Sequence, residues 1–309
     1  HGLAYYWLLD LGYEKLPAAA RHIEFGLPKS TEVLDPVLYA GTDSLPDPVH
    51  QAIWYFDAYR RLQRADGAVG AGLGFDGGGK GRRFEASSIS RAQAFIYASD
   101  PASNFTYALG AAKLAAILKE AGFAPLAKVW TASAVKAWDW AERIYQSGLG
   151  DGVARDAYFL GELNVKANAG WSDAQYRDAI KVLQTLTAPR RSAAAGALFR
   201  LTTEDRYRAI LEKRITSPIA GDAGIDQWEY VHTPVADPAI RSRILEASGG
   251  FEHYARISVQ PYMVGRIGYK NLGKALSPWI GNGGPVTELL QAYVRTGAHE
   301  FLGLLQDGL

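Results

Sequence analysis

Ser103-Asn-Phe-Thr-Tyr-Ala-Leu-Gly-Ala-Ala-Lys-Leu-Ala-Ala-Ile-Leu118, followed after Gly122 and Pro125 by the run Leu126 to Tyr145, decides the fold. The first segment is apolar around most of its circumference and carries Lys113 as its one charge, so it reads as a helix capped by Ser103 and buried on all sides. The second sets Trp130, Ala134, Ala137, Trp138, Ala141 and Ile144 against Lys128, Lys136, Asp139, Glu142 and Arg143, a helix with one wet face. Gly122 ends the one and Pro125 opens the other. A buried small-residue helix joined by a tight turn to an amphipathic partner is an αα-hairpin.

The pattern spreads in both directions. His1 to Leu11 is an apolar helical run, and Asp47-Pro48 stands as N-cap and first-turn proline of a long helix carrying Ile53, Trp54, Phe56, Tyr59 and Leu62. Ser172 and Gln175 read as a capping box before Tyr176 to Leu186, with a separate helix over Ser192 to Leu201. Thr202 with Asp205 caps Arg206 to Ile215, Asp237-Pro238 starts another helix, and Pro285 to Arg295 and His299 to Leu305 form a last pair. Roughly ten or eleven helices result, without a sustained period-2 strand pattern. Alternating inner and outer helices predict an all-α protein, one α/α toroid domain over residues 1–309, whose rim loops carry the site. A superhelical solenoid is the rival, but no strict repeat supports it.

Composition narrows the function. Lys+Arg of 33 against Asp+Glu of 32 leaves no basic excess to neutralise a phosphate backbone, so nucleic acid is not an expected partner. No run of about 18 apolar residues predicts a membrane span. Cysteine is absent, which removes disulfides, thiolate metal sites and cysteine nucleophiles. The chain has 8 Trp, 17 Tyr and 11 Phe, rings that suit sugar stacking as well as core packing. None of the six histidines has a partner at the His-x-x-x-His spacing of a zinc site, so no metal ligand is assigned.

Two stretches read as loops, Phe25 to Leu45 and Gly67 to Ser99, the second with the run Gly70 to Gly81. Loops this long are usually functional. The glycine run lacks the following Lys-Ser/Thr and helix start of a phosphate loop.

Several segments resemble glycoside hydrolase family 9. Phe25-Gly-Leu-Pro28-Lys-Ser30, then Leu45-Pro-Asp-Pro-Val-His-Gln-Ala-Ile-Trp54 through Gln63, then Ala65-Asp-Gly-Ala-Val69 are similar to its "IPESG … IPDLLDEALWGLDFLLRMQ … DGGV". Tyr97 to Ala112 resembles "YAPDP…S..YAGAAA", Ala137 to Glu142 resembles "AWNWAE", Ala195 to Tyr207 resembles "AAALYRLTGD..Y", and Trp279 to Asn282 resembles the "WGSN" turn. Val49-His50-Gln51-Ala52 departs from "LDEA".

The resemblance implies an (α/α)6 barrel, a six-hairpin toroid, that hydrolyses β-1,4-glucosidic bonds with inversion. Inversion uses two carboxyl groups roughly 6.5–9.5 Å apart, a base that activates water and an acid that protonates the leaving oxygen. In the family the base lies in a "DAGD" motif just before the helix that His1 to Leu11 resembles, and the acid lies beyond the helix that ends near Leu309. Neither motif is present, so the expectation is a piece truncated at both ends and inactive by itself, with its acid and base outside it. The uncapped start at His1 points the same way. Polysaccharide or oligosaccharide is the expected partner and an extracellular or periplasmic location follows from substrate size. No cofactor is expected, though the resemblance admits a structural calcium.

Substrate-binding candidates are His1, Arg83, Glu85, Tyr97, Trp279 and Asn282. His1 follows the position of the aspartate motif, near the catalytic floor, or is a frayed terminus. Arg83 and Glu85 sit in the long loop where the family contacts sugar, or form a solvated salt bridge. Tyr97 and Asp100 precede the most buried helix and line the funnel or fix the loop. Trp279 and Asn282 suit a rim where an indole stacks on a glucosyl ring and an amide binds a hydroxyl; core packing of Trp279 is the alternative. Asp47 reads as a cap, and Asp139, Glu142, Glu204 and Asp205 as structural. The rivals to the hydrolase are a non-catalytic saccharide- or partner-binding toroid and another α/α-toroid enzyme, a lyase or uronyl hydrolase.

Overall fold

The computed structural model describes residues 2–14, 21, 24, 26–76, 93–96, 99–147, 173–215 and 225–244. Its helices are α1 (Gly2–Leu9), continued by a π-helical turn (Asp10–Glu14), α2 (Ser30–Val33), α3 (Asp47–Arg61), α4 (Pro101–Glu120), α5 (Ala124–Gln146), α6 (Asp173–Thr202), α7 (Asp205–Ile215) and α8 (Ile225–Val231). Residues 238–244 are also helical, and Asp237 caps them by accepting from the amides of Ala239 and Ile240.

The central hairpin is as expected. Along α4 the side chains of Asn104, Phe105, Tyr107, Ala108 and Leu109 and those from Ala111 to Ala115 are all buried. Helix α5 turns Trp130, Ala134, Ala137, Trp138 and Ala141 inward and leaves its charged face outside. Phe105 of α4 meets Trp138 of α5 with ring centroids 4.9 Å apart, and the Tyr107 and Ser133 hydroxyls lie 2.7 Å apart. Gly122 turns the chain at φ +92°, a conformation open to glycine at little cost.

Cross-helix contacts fix directions. Near its start α1 touches α4 at Thr106, and farther along it reaches Lys113, so the two run parallel. Thr106 meets Arg190 of α6, Ser192 meets Asp226 of α8, and Arg200 meets Glu229, so α6 and α8 share that direction. Helices α5 and α7 return outside them, with Trp138 edge-on to Tyr207 at 5.3 Å and Arg206 paired to Asp139. Parallel inner helices with antiparallel outer ones form an α/α toroid. Its first rim holds the N-terminal ends of α1, α4 and α8; the C-terminal ends of α1 and α4 lie on the opposite face.

Four local expectations are corrected. Asp100, not Ser103, caps α4, its carboxylate accepting the Ser103 amide at 2.8 Å. The separate helices expected around Ser192 are one helix, α6, which passes through Pro189 and tolerates one missing amide hydrogen bond. Thr202 belongs to that helix, and Thr203 turns the chain at φ +61°. Within the stretch read as a loop, Leu73–Asp76 (β1) and Gln93–Ile96 (β2) pair antiparallel, Leu73 opposite Ile96.

Candidate functional site

Four inner helices converge on Lys113, a side chain that is 1% exposed. Its Nζ lies 2.6 Å from Asp10 Oδ1 and 2.9 Å from Glu229 Oε1, and it also meets Glu14. Arg200 pairs with Glu14 and, at 3.3 Å, with Glu229. Trp228 Nε1 donates to Asp10 Oδ2 at 2.9 Å, and the Tyr6 hydroxyl donates to Glu229 Oε1. The π-helical turn places Asp10 and Glu14 where both reach the same ammonium.

Burial alone would raise the Glu229 carboxyl, but Lys113 and Arg200 outweigh it and hold it at about 2. Burial would likewise lower Lys113, and the attraction of Asp10, Glu229 and Glu14 reverses this and raises it. Lys113 therefore stays protonated and is no nucleophile, and Glu229 stays ionised and is no proton donor. The cluster ties α1, α4, α6 and α8 together.

The first rim is also held by polar contacts. Asn104 accepts the Val69 amide at 2.7 Å and donates to the carbonyls of Val69 and Asp100, clamping the chain after α3 onto α4. Burial raises the Asp100 carboxyl and its hydrogen bonds with Ser103 oppose this; its oxygen is committed to the cap. Asp226, at the start of α8, takes the Ser192 hydroxyl at 2.6 Å and faces Arg214 at 3.3 Å. Gln63 joins the α3 end to α5 by donating to the Ser133 carbonyl and accepting from its hydroxyl.

The segment that departs from "LDEA" has a structural explanation. Asp47 is not the N-cap: Pro46 precedes the helix, and its carbonyl accepts the Val49 amide at 2.9 Å. The fully buried Asp47 carboxylate instead binds the Leu27 amide and Lys29 Nζ, each at 3.1 Å. His50 Nδ1 accepts the Ser30 amide at 3.0 Å and lies 2.8 Å from Ser30 Oγ. This Ser–His contact is not a nucleophile pair, because Ser30 is 1% exposed and the same nitrogen is occupied by the backbone. Together Asp47 and His50 pin the 27–30 segment to α3. Two turns after His50, Asp57 accepts from Tyr39 and pairs with Arg60 and Arg61.

His1, Arg83, Glu85, Tyr97, Trp279 and Asn282 all lie outside the described residues. Asp139 and Glu204 pair with Arg206, Glu142 with Arg191 and Asp205 with Arg208, as ion pairs between or within helices. Among the described residues no group of three or more His, Asp or Glu is arranged to hold a metal ion. Also among the described residues, no helix is long and apolar enough to cross a membrane. The sequence reading missed the cluster around Lys113. Its one local signal was a lysine in the middle of an otherwise apolar helix, which requires buried acidic partners.

No family model matches the chain, and no curated protein matches it. Solved structures do. The chain superposes on the crystal structure of the glycoside hydrolase family 9 endoglucanase J30 with TM-score 0.67 and 20% identity, covering 99% of this chain and 53% of that one. A metagenome-derived family 9 endoglucanase gives TM-score 0.61 and 20% identity, with 99% and 51% covered. A Bacteroides ovatus family 9 protein gives 0.59 and 15%, with 99% and 54% covered. The chain thus has the (α/α)6-barrel fold of family 9 endoglucanases and spans about half the length of the structures it matches.

Proposed function

We propose that the chain belongs to a glycoside hydrolase that cleaves β-1,4-linked glucan or a related polysaccharide by single displacement. The observation that carries this reading is the superposition of 99% of the chain on family 9 endoglucanases, in line with the family-like block from Phe25 to Val69. In this reading the base and acid lie outside residues 1–309, and the 309-residue chain itself is inactive. The substrate is too large to enter a cell, so the enzyme works outside it or in the periplasm.

A second reading, a non-catalytic toroid that binds saccharide, is equally compatible with the described carboxylates. The buried ones, Asp10, Asp47, Asp57, Asp100, Asp226 and Glu229, are each held by partners within the fold.

Translating the coding DNA in frame on both sides of this stretch separates the two. An aspartate motif before His1 and a glutamate-bearing segment after Leu309 support the inverting hydrolase; flanks without carboxylates overturn it in favour of the binding toroid. Reducing ends released from soluble β-glucan by the 309-residue chain at well above the buffer rate would overturn the placement of acid and base.

A further inference from the structure

On the face opposite the first rim, where α1 and α4 end and α3 begins, lies a pocket of about 280 Å³. Tyr13, Arg21, Ser44, Pro46 and Phe123 line it. We infer that this pocket binds a single neutral pyranose ring, at a site separate from the first rim.

Size sets the first limit. The volume is at the lower edge of the roughly 300–1,000 Å³ typical of small-molecule sites, so it takes one ring rather than an extended chain. The lining sets the second. Tyr13 and Phe123 supply flat apolar surface, which matches the C–H face of a sugar. The Arg21 guanidinium and the Ser44 hydroxyl give the lining a polar edge, which matches the hydroxyl edge of a ring better than a purely apolar ligand.

Charge sets the third. Arg21 is held in place: its guanidinium stands 5.2 Å from the Tyr13 ring centroid and donates to the Glu14 carbonyl at 2.8 Å. Glu120 faces the same guanidinium at 3.8 Å. That carboxylate offsets the cation and repels an anion, so the site favours a neutral polyol over a carboxylate or phosphate. A fixed donor beside an aromatic face loses little freedom on binding. The inference is independent of hydrolysis, since the ring it takes contains no inter-sugar bond.

The test is ligand-observed NMR titration of the 309-residue chain with methyl β-D-glucopyranoside, compared with benzoate and inorganic phosphate. Binding of the glucoside is expected, weakened about tenfold or more by Arg21→Met and about three- to tenfold by Phe123→Leu. Both variants must keep the wild-type urea midpoint; should Phe123→Leu lower it, Ser44→Ala replaces it, with a loss of about threefold or more expected. No glucoside binding, binding unchanged in the variants, or tighter binding of benzoate or phosphate than of the glucoside each overturns the proposal. None of these outcomes bears on whether a longer polypeptide hydrolyses glucan.

Discussion

Lys113 Nζ and Asp10 Oδ1 are 2.6 Å apart where α1 and α4 meet, although 103 positions separate them in sequence. Both side chains are at most 1% exposed, and Glu229, 116 positions from Lys113, closes the group from α8. Two cations, Lys113 and Arg200, face three carboxylates, so removing either cation leaves buried negative charges facing each other. Breaking a buried pair costs about 3–5 kcal/mol because the abandoned partner is neither solvated nor compensated. Lys113→Met is therefore expected to lower unfolding free energy by that amount in urea titration. Adding Asp10→Asn should recover part of the loss, a coupling that a double-mutant cycle reads directly.

Acid should act on this cluster in a defined window. Glu229 titrates at about 2 in the folded chain against an ordinary 4.5. Its folded value is depressed, so its contribution is present above about 4.5 and is lost as pH falls toward about 2. His50 adds a step at higher pH. Burial and the Lys29 charge lower its imidazole below 6.5, so the unfolded chain takes up a proton there that the folded chain resists. Stability then falls as pH drops below about 6.5. Urea midpoints measured from about pH 7 to about pH 3 should show two declines, and His50→Gln should flatten the upper one alone.

These two groups also show what the sequence could reveal. Helices α4 and α5 were legible because their burial is periodic within one element, and periodicity is a local property. The cluster around Lys113 was not, since that lysine carries no sign of which acid it meets. Asp47 was misread for a related reason: Pro46-Asp47-Pro48 has the composition of a helix start, but the carboxylate is drawn to an amide and an ammonium twenty and eighteen positions away. Continuity of α6 through Pro189 was hidden because packing against α4 and α8 can outweigh the local cost of a proline. The candidate sugar contacts were read from a resemblance and none falls among the described residues.

Thr203 is a local conflict that one substitution should relieve. It is the non-glycine residue at positive φ among those described, at +61°, and its amide donates to the Phe199 carbonyl at 2.7 Å to end α6. A β-branched side chain is strained in this region, by about 1–2 kcal/mol. The family-like sequence carries glycine at the corresponding place. Thr203→Gly is expected to raise stability by about 1 kcal/mol, whereas Thr203→Val, which keeps the branch, should not. Thermal melting of the two variants side by side provides the comparison.

Gly110 makes the opposite prediction. It faces Phe56 of α3 in the middle of α4, and a Cβ at this position would lie 2.0 Å from Phe56 Cζ and 2.4 Å from Cε1. Phe56 is 1% exposed and is edge-on to Tyr107 at 6.2 Å, so its ring has no open side to move into. Helix propensity alone would favour alanine at residue 110 by about 1 kcal/mol. Overpacking should reverse that sign, making Gly110→Ala destabilising by about 1–3 kcal/mol. Phe56→Leu alone should also destabilise, by leaving space where the ring was. Combined, the two changes should cost less than their sum, because the methyl group occupies space that the smaller side chain vacates. Additive losses in the double mutant would mean that the α3–α4 contact at this point is loose enough to relax around either change.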